Sequence, residues 1–123
     1  MKVKRFIEVS FKREGIHHYP AAATDPKLAT GGWDDVSFLA SPHRHEFYFY
    51  IRIAVEHNDR EIEFIQAKRF MERLYDGLLE VDHKSCEMLA EDLYEQISKK
   101  WPNREMIIKV FEDNENGAVM EFK

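Results

Sequence analysis

Two histidines, His43 and His45, lie near the start of the stretch "SPHRHEFYFYIRIAV" at residues 41 to 55, and their spacing suits metal binding. Because side chains alternate across a β-strand, residues i and i+2 share one face and lie roughly 7 Å apart. Two imidazoles placed in this way can share a zinc ion, whose ligand bonds are about 2 Å long. A third ligand is needed, and the segment "IHHYP" offers His17 or His18. Alternatively, the histidines cap the open end of a half-buried strand by hydrogen bonding to the backbone.

The pair lies in the clearest predicted strand of the chain, residues 43 to 56. Its first face carries His43, His45, Phe47, Phe49, Ile51 and Ile53, and its second carries Arg44, Glu46, Tyr48, Tyr50, Arg52 and Ala54. Residues 2 to 11 alternate in a similar way and predict another strand. Between them, residues 15 to 42 hold three prolines and three glycines without a sustained period, which predicts a long loop.

The second half of the chain predicts a short strand, two helices and a hairpin. "EIEFI" at 61–65 is expected to pair with the strand before it. Apolar residues from Ala67 to Leu78 follow a helical period. A second helix is expected over 85–100, with Ser85 as N-cap and Cys86 on its apolar stripe. "EMIIKVFEDNENGAVMEF" indicates a hairpin with its turn at the Asn-Gly pair 116–117.

This order of elements predicts one α+β domain over residues 1–123, with the long loop at 15–42. Its antiparallel sheet of four to five strands would be covered on one face by two helices. Tyr48 and Tyr50 would then lie on the sheet face opposite the histidines, where a free monomer would expose an unusually aromatic surface. We therefore expect a homo-oligomer.

Composition excludes several classes of protein. Hydrophobic residues make up 44% of the chain, which favours a folded domain over a disordered segment. The net charge of −5, with both signs interspersed, argues against nucleic-acid binding, which usually shows a basic stripe. No apolar run is long enough for a membrane span, and "MKVKRFIEVSF" lacks the apolar core of a signal peptide. With a single cysteine, the chain is expected to be cytoplasmic and to bind neither nucleic acid nor membrane.

Four segments, "HRHEFYFYIRIAV", "EFIQAKRFMERL", "SCEMLAEDLYEQI" and "KVFEDNENGAVMEF", occur in an order typical of a known enzyme group. They resemble, in turn, the HGHNY strand, the DF-x-x-LK segment, the PT-x-ENLA helix and the last hairpin of the 6-pyruvoyltetrahydropterin synthase and 6-carboxytetrahydropterin synthase group. This resemblance runs from Phe6 to Phe122 and implies the tunnelling fold, whose subunits assemble into rings around a barrel. "REGIHHYPAA", "PHRHEF" and "EDNENGA" also look like segments of a family of small, largely uncharacterised bacteriophage proteins, which would place the chain in a host cytoplasm.

The resemblance implies a zinc ion held by His17, His43 and His45, because the group's third histidine comes from the end of the first strand. The group's nucleophile is a cysteine shortly before H-x-H, and this chain has only Ser41 in that region. Cys86 lies elsewhere and is expected to pack in the core, where a buried thiol is inert.

Further site residues follow from the same resemblance. Asp82 and His83 are similar to the Asp-His pair that activates the group's nucleophile, although an exposed turn between helices would also explain them. Glu112 stands where the group uses a glutamate to accept two N–H donors from a pterin or purine edge. Glu87 would bind ligand or only complement the helix dipole, while Arg13 and Arg44 would hold an anionic group.

Two functions are therefore expected. The first is a binding protein for a pterin-, purine- or nucleotide-like small molecule, with its pocket between subunits. The alternative is a zinc-dependent lyase or hydrolase of the pterin synthase type. Absence of the nucleophilic cysteine favours the first.

Overall fold

The computed structural model describes residues 1–77 and 79–123, which form five strands and two α-helices. The strands are β1 (Arg5–His17), β2 (His43–Val55), β3 (Leu79–Asp82), β4 (Met106–Glu112) and β5 (Asn116–Phe122), and the helices are α1 (Phe64–Arg73) and α2 (Cys86–Lys100). The predicted α+β class, with one sheet and two helices, is confirmed.

The strands form one sheet in the order β3-β1-β2-β4-β5. β1 and β2 pair antiparallel along their whole length, from Arg5 opposite Val55 to His17 opposite His43. β3 instead lies parallel to the end of β1, so the sheet is mixed, in contrast to the wholly antiparallel sheet that was predicted. Between β2 and β3 the chain forms α1 and crosses to the far side of β1. β3 therefore runs in the same direction as β1.

The inner face of the sheet, which meets the helices, includes the predicted apolar face of β2. It consists of Val9, Phe11, Phe47, Phe49, Ile51, Ile53, Met106, Ile108, Val110 and Ala118, packed against Ala67, Met71, Leu89, Leu93 and Ile97 of the helices. His43 and His45 continue this face from Phe47 to the N-terminal end of β2. The alternation of β2 therefore carries the histidines to the margin of the core.

The helices differ from expectation mainly at the start of α1. Phe64 and Ile65, predicted to belong to a short strand, form its first turn instead and are more than half exposed. Glu63 explains the change, because its side chain caps the helix by accepting the N–H of Gln66 at 2.7 Å. α1 ends at Arg73, and Leu78, the last member of the predicted stripe, lies outside the described residues.

The α2 prediction is confirmed at both ends and along its core face. Ser85 is the N-cap and accepts the N–H of Met88 at 3.1 Å. The helix ends at Lys100, just before Trp101 and Pro102. Its predicted stripe is buried throughout, from Cys86 to Ile97.

The predicted final hairpin forms, but its turn lies earlier than Asn116-Gly117. Residues 113–115 make the turn, and Asp113 and Asn114 take the positive φ angles of 53° and 56°. Gly117 lies opposite Phe111 in the ladder. A Cβ on Gly117 would lie 2.1 Å from the carbonyl oxygen of Val110, so this position needs glycine for close approach.

The loop between β1 and β2 covers residues 18–42, because β1 continues further than predicted. It contains two short 3-10 turns, Pro20–Ala23 and Ser37–Ala40. The N–H of Tyr19 donates to the carbonyl oxygen of Leu39 at 2.7 Å, and Ala22 is fully buried. The two ends of the loop therefore meet beside the end of the sheet where His17 pairs with His43.

Candidate metal centre and adjoining cavity

His17, His43 and His45 converge at the end of the β1–β2 ladder, and we call them the histidine cluster. His17 lies directly opposite His43, and His45 lies two residues along on the same face. One nitrogen from each ring lies within 4.8 Å of the others. The cluster could hold a metal ion, and of the two candidates for the third ligand the structure brings in His17.

Hydrogen bonds fix the orientation of two of these rings. Nδ1 of His43 contacts the carbonyl oxygen of Ser41 at 2.7 Å, and Nδ1 of His45 contacts Oδ2 of Asp113 at 2.6 Å. Since both partners are acceptors, each Nδ1 carries the proton, and in the neutral ring Nε2 keeps its lone pair. Both Nε2 atoms are buried and have no hydrogen-bond partner among the described residues. This is the arrangement in which outer hydrogen bonds orient metal-binding histidines.

Asp113 is itself held in place by the neighbouring strand. Its Oδ1 accepts the backbone N–H of Glu46 at 2.9 Å. This N–H, together with the bond to His45, lowers the pKa of the Asp113 carboxyl. Asp113 is therefore an ionised acceptor that keeps the His45 ring in one tautomer.

His17 is neutral at physiological pH. Burial, with smaller contributions from the nearby rings of His43, His45 and His18, lowers its pKa to about 4. A neutral imidazole is the form that binds a metal ion. His17 thus offers a free ligand atom at neutral pH.

Glu112 is the last residue of β4, and its side chain approaches the cluster from the neighbouring strand. Its two carboxylate oxygens lie 3.5 Å from Nε2 of His17 and 3.4 Å from Nε2 of His45. The thiol of Cys86 donates to Oε1 at 3.9 Å. Glu112 thus combines with the histidines into one polar group at the edge of the core.

A cavity of about 490 Å³ adjoins this group, and we call it the site cavity. Its walls come from the end of β1, the start of the loop, the N-terminus of α2 and the last hairpin. They are lined by His17, His18, Tyr19, Leu39, His83, Lys84, Ser85, Cys86, Glu87, Met88, Glu112, Asn116 and Gly117. Three carboxyl or imidazole residues singled out from the sequence, Glu87, Glu112 and His83, therefore share one cavity with His17 of the cluster.

His83 lines the cavity because β3, which it directly follows, pairs with the end of β1, and Asp82 lies beside it. Oδ2 of Asp82 is 3.1 Å from Nδ1 of His83, and its Oδ1 is 3.7 Å from Nδ1 of His18. Both Asp82 and His83 side chains are largely exposed. Asp82 therefore orients His83 at the cavity rim, where the parallel strand places it.

The two arginines predicted to bind ligand lie elsewhere. Arg44 pairs with Glu14 at 2.7 Å. Arg13 donates to the carbonyl oxygens of Tyr75 and Glu72 at the end of α1, at 2.9 and 3.2 Å. Among the residues described, neither lines the site cavity, and Arg13 instead ties α1 to the sheet.

Cys86 is buried as predicted, although it also lines the cavity. Burial, together with the smaller effect of the Glu112 charge, raises the pKa of its thiol to about 12. Cys86 is therefore a protonated thiol at neutral pH and not a nucleophile.

Sequence reasoning missed Asp113, the Ser41 carbonyl, and the cavity residues Tyr19 and Leu39. Asp113 was one of several polar hairpin residues, and no spacing rule links it to a histidine 68 positions earlier. The nearest available signal is its place directly after Glu112 at the end of an alternating strand.

Metal-free protein is expected to lose stability as the pH falls from 6.5 to about 4. His17 has a pKa of about 4 in the folded chain against an ordinary 6.5, so the unfolded chain takes up the proton first. The contribution of His17 to the free energy of unfolding is thus complete above pH 6.5. As the pH falls to about 4, this contribution decreases by roughly 1–3 kcal/mol. Urea unfolding in the presence of chelator, at pH 7 and pH 4.5, measures the loss.

The matched variants are His17→Gln and His57→Gln, the second in an exposed turn. His17→Gln should flatten the pH dependence, whereas His57→Gln should preserve it. An equal pH dependence in all three proteins would contradict the role given to His17.

No protein-family model matches this chain, and no curated protein matches it. Within residues 1–77 and 79–123, neither helix has the length and apolar character that crossing a membrane would require. The geometry of the histidine cluster and the site cavity is therefore the main support for a function.

Proposed function

We propose that this protein binds a small, flat, nitrogen-rich molecule of the pterin, purine or nucleotide type, beside a zinc ion held by His17, His43 and His45. The observation that carries the proposal is the pair of buried Nε2 atoms on His43 and His45, which have no hydrogen-bond partner in the described part of the chain. They face a third imidazole at the wall of a cavity large enough for such a ligand.

The donor set supports zinc as the ion. Three imidazole ligands suit zinc, and three protein ligands are typical of zinc sites that keep a position for water or substrate. When bound, zinc would polarise an oxygen of the ligand. The resemblance to the pterin synthase group supports the same assignment.

The site cavity offers groups suited to a heterocycle. Glu112 has two acceptor oxygens that match adjacent N–H donors on an amino-pyrimidinone edge. Tyr19, Leu39 and Met88 supply apolar surface for the faces of a ring. Glu87, in the first turn of α2, lines the cavity and adds a further acceptor.

We further propose that a second copy of the chain completes the pocket. Tyr48, Tyr50 and Phe111 lie on the sheet face away from the helices and are only half-buried, while Val119 on the edge strand β5 is 55% exposed. A homo-oligomer would cover this surface. Light scattering coupled to size-exclusion chromatography measures the number of copies.

A second candidate function is zinc-dependent lyase or hydrolase activity, and the Asp82–His83 pair favours it. Asp82 holds Nδ1 of His83 at 3.1 Å, which leaves Nε2 as the proton acceptor at the cavity rim. The nucleophilic cysteine of the pterin synthases has no counterpart, because Cys86 is protonated. Any reaction would therefore depend on His83 as base without a thiolate.

Metal content tests the proposal directly. Protein purified without chelator or histidine tag is expected to carry about one zinc ion per chain by plasma mass spectrometry. Titration with pterin, followed by its fluorescence, is then expected to show saturable binding that weakens when zinc is removed. A folded protein that neither carries nor takes up zinc would contradict the zinc site.

Incubation with reduced pterins, followed by chromatography, separates the two candidates. Binding without product supports the binding protein. Product formation that His83→Gln abolishes, while pterin binding persists, supports the enzyme.

A further inference from the structure

Trp33 lies in the loop between β1 and β2, and its side chain is 98% exposed. It belongs to a turn over residues 30–35, which we call the tryptophan tip. Large aromatic rings dominate the energetics of protein interfaces, and tryptophan is enriched among the residues that contribute most to binding. A fully exposed tryptophan on a turn of fixed shape is therefore a candidate anchor for a partner protein.

Side-chain hydrogen bonds give the tryptophan tip its fixed shape. Oγ1 of Thr30 donates to Oδ1 of Asp34 at 2.8 Å, and the N–H of Gly31 donates to Oδ1 of Asp35 at 3.0 Å. The hydroxyl of Ser37 donates to Oδ2 of Asp35 at 2.7 Å. Because a fixed turn loses little conformational entropy on binding, the tip is preorganised for contact.

A groove of about 470 Å³ lies where β1, β2 and α1 meet, and we call it the tyrosine groove. Tyr48 and Tyr50 line it from β2, while Lys12, Arg13 and Lys68 line it from β1 and α1. Cavities of about 300–1,000 Å³ hold molecules of drug size, so an indole ring fits. The groove thus offers aromatic rings for stacking and cations that can lie over the face of an indole.

The groove and the tryptophan tip carry opposite charges. Glu72 also lines the groove and pairs with Arg13 at 3.7 Å, and Lys12 pairs with Glu46 at 3.6 Å. Lys68 is exposed and makes no ion pair with any residue that the structure describes. The tip has two carboxylates directly after its indole. Charge complementarity of this kind favours association and fixes its orientation.

We propose that Trp33 of one copy of the chain inserts into the tyrosine groove of a second copy, with Asp34 beside Lys68. This inference rests on the proposed function, because it names the contact through which a second copy covers the tyrosines of the outer sheet face. The tip and the groove are different surfaces of one chain. The contact is therefore heterologous and joins copies head to tail.

The loop that carries the tip also forms part of the site cavity. Tyr19 and Leu39, near its two ends, line that cavity and are joined by a backbone hydrogen bond of 2.7 Å. A docked tip would hold the middle of the loop, as this hydrogen bond holds its ends. Assembly would thus fix the cavity wall that the loop supplies.

Two variants that each damage one surface test the contact, with light scattering coupled to size-exclusion chromatography as the measurement. Trp33→Ala removes the inserted ring, and Lys68→Glu places in the groove a carboxylate that repels Asp34. Each variant alone is expected to weaken self-association by at least about 10-fold, as loss of an interface hot spot does. An equal mixture is expected to form a dimer, because the intact tip of Lys68→Glu meets the intact groove of Trp33→Ala.

Phe38→Ala and Arg69→Glu are the matched controls. Phe38 is 66% exposed in the same loop but outside the tip. Arg69 is exposed next to Lys68 and is not among the described residues that line the groove. Both variants should associate as the unmodified protein does, and circular dichroism checks that all four fold.

The outcomes separate this contact from the rest of the proposed function. Self-association that Trp33→Ala leaves intact, or a mixture that forms no dimer, would overturn this inference while zinc and pterin binding stand. An unmodified protein that stays monomeric would overturn it together with the proposed second copy. Absence of zinc from a protein that assembles through Trp33 would contradict the metal site alone.

Discussion

Replacing His45 by alanine is expected to weaken zinc binding by about 100- to 1,000-fold, since apparent binding free energies of about 10–16 kcal/mol are shared among a few ligands. The variant removes one of three converging imidazoles and leaves Asp113 without the ring that it orients. Chelator competition at neutral pH measures the change. Zinc should also raise the unfolding temperature of the unmodified protein, and this rise should vanish in the variant.

Two further variants serve as comparisons for His45→Ala. Arg44→Ala changes the residue between the two histidines on the opposite face of β2, where the side chain pairs with Glu14, so zinc affinity should be preserved. Asp113→Asn keeps the ligands but weakens the hydrogen bond to His45, and an intermediate loss of about 10- to 100-fold is expected. If His45→Ala bound zinc as tightly as Arg44→Ala, the histidine cluster would not be the metal site.

Replacing Phe49 by alanine is expected to lower the free energy of unfolding by about 3–5 kcal/mol. Phe49 is fully buried and stacks against two rings, with its centroid 4.8 Å from that of Phe11 and 5.3 Å from that of Tyr75. Alanine would leave a cavity between the sheet and the end of α1. Such a loss is a large part of the roughly 5–15 kcal/mol that stabilises a typical domain. Urea denaturation of metal-free protein measures it.

Phe49→Leu and Tyr48→Ala are the controls. Leucine at position 49 retains much of the buried volume and should lower the free energy of unfolding less than alanine does. Tyr48 lies on the outer face of the sheet and is only half-buried. Its replacement should therefore have a small effect. A loss for Tyr48→Ala as large as that for Phe49→Ala would mean that the outer face contributes as much packing as the core.

Local patterns in the sequence were sufficient to predict much of the fold. The alternation of β2 predicts which residues face the helices, and every apolar member of that face from Phe47 to Ile53 is fully buried. The period of α2 and its cap at Ser85 predict both the limits and the core face of that helix. These features depend on side-chain geometry over a few residues, which the sequence displays directly.

Failures of prediction occur where local preference competes with the rest of the fold. "EIEFI" alternates like a strand, but the Glu63 cap and the packing of Ala67 and Met71 favour helix. The parallel strand β3 gave no clear signal, because it has four residues and pairs with β1 only at its end. Short elements of this kind form because of their neighbours.

The sequence by itself determined that His43 and His45 share the core face of a strand, since alternation leaves no other place for them. Only the tertiary structure decided that His17 joins them, that Asp113 and the Ser41 carbonyl orient their rings, and that Glu112 faces them. Strand register and sheet order set these contacts, and both result from how the whole chain packs. Asp113 and His45 are 68 positions apart in the sequence and meet because β2 and β4 are neighbouring strands. No local spacing in the sequence reveals this contact.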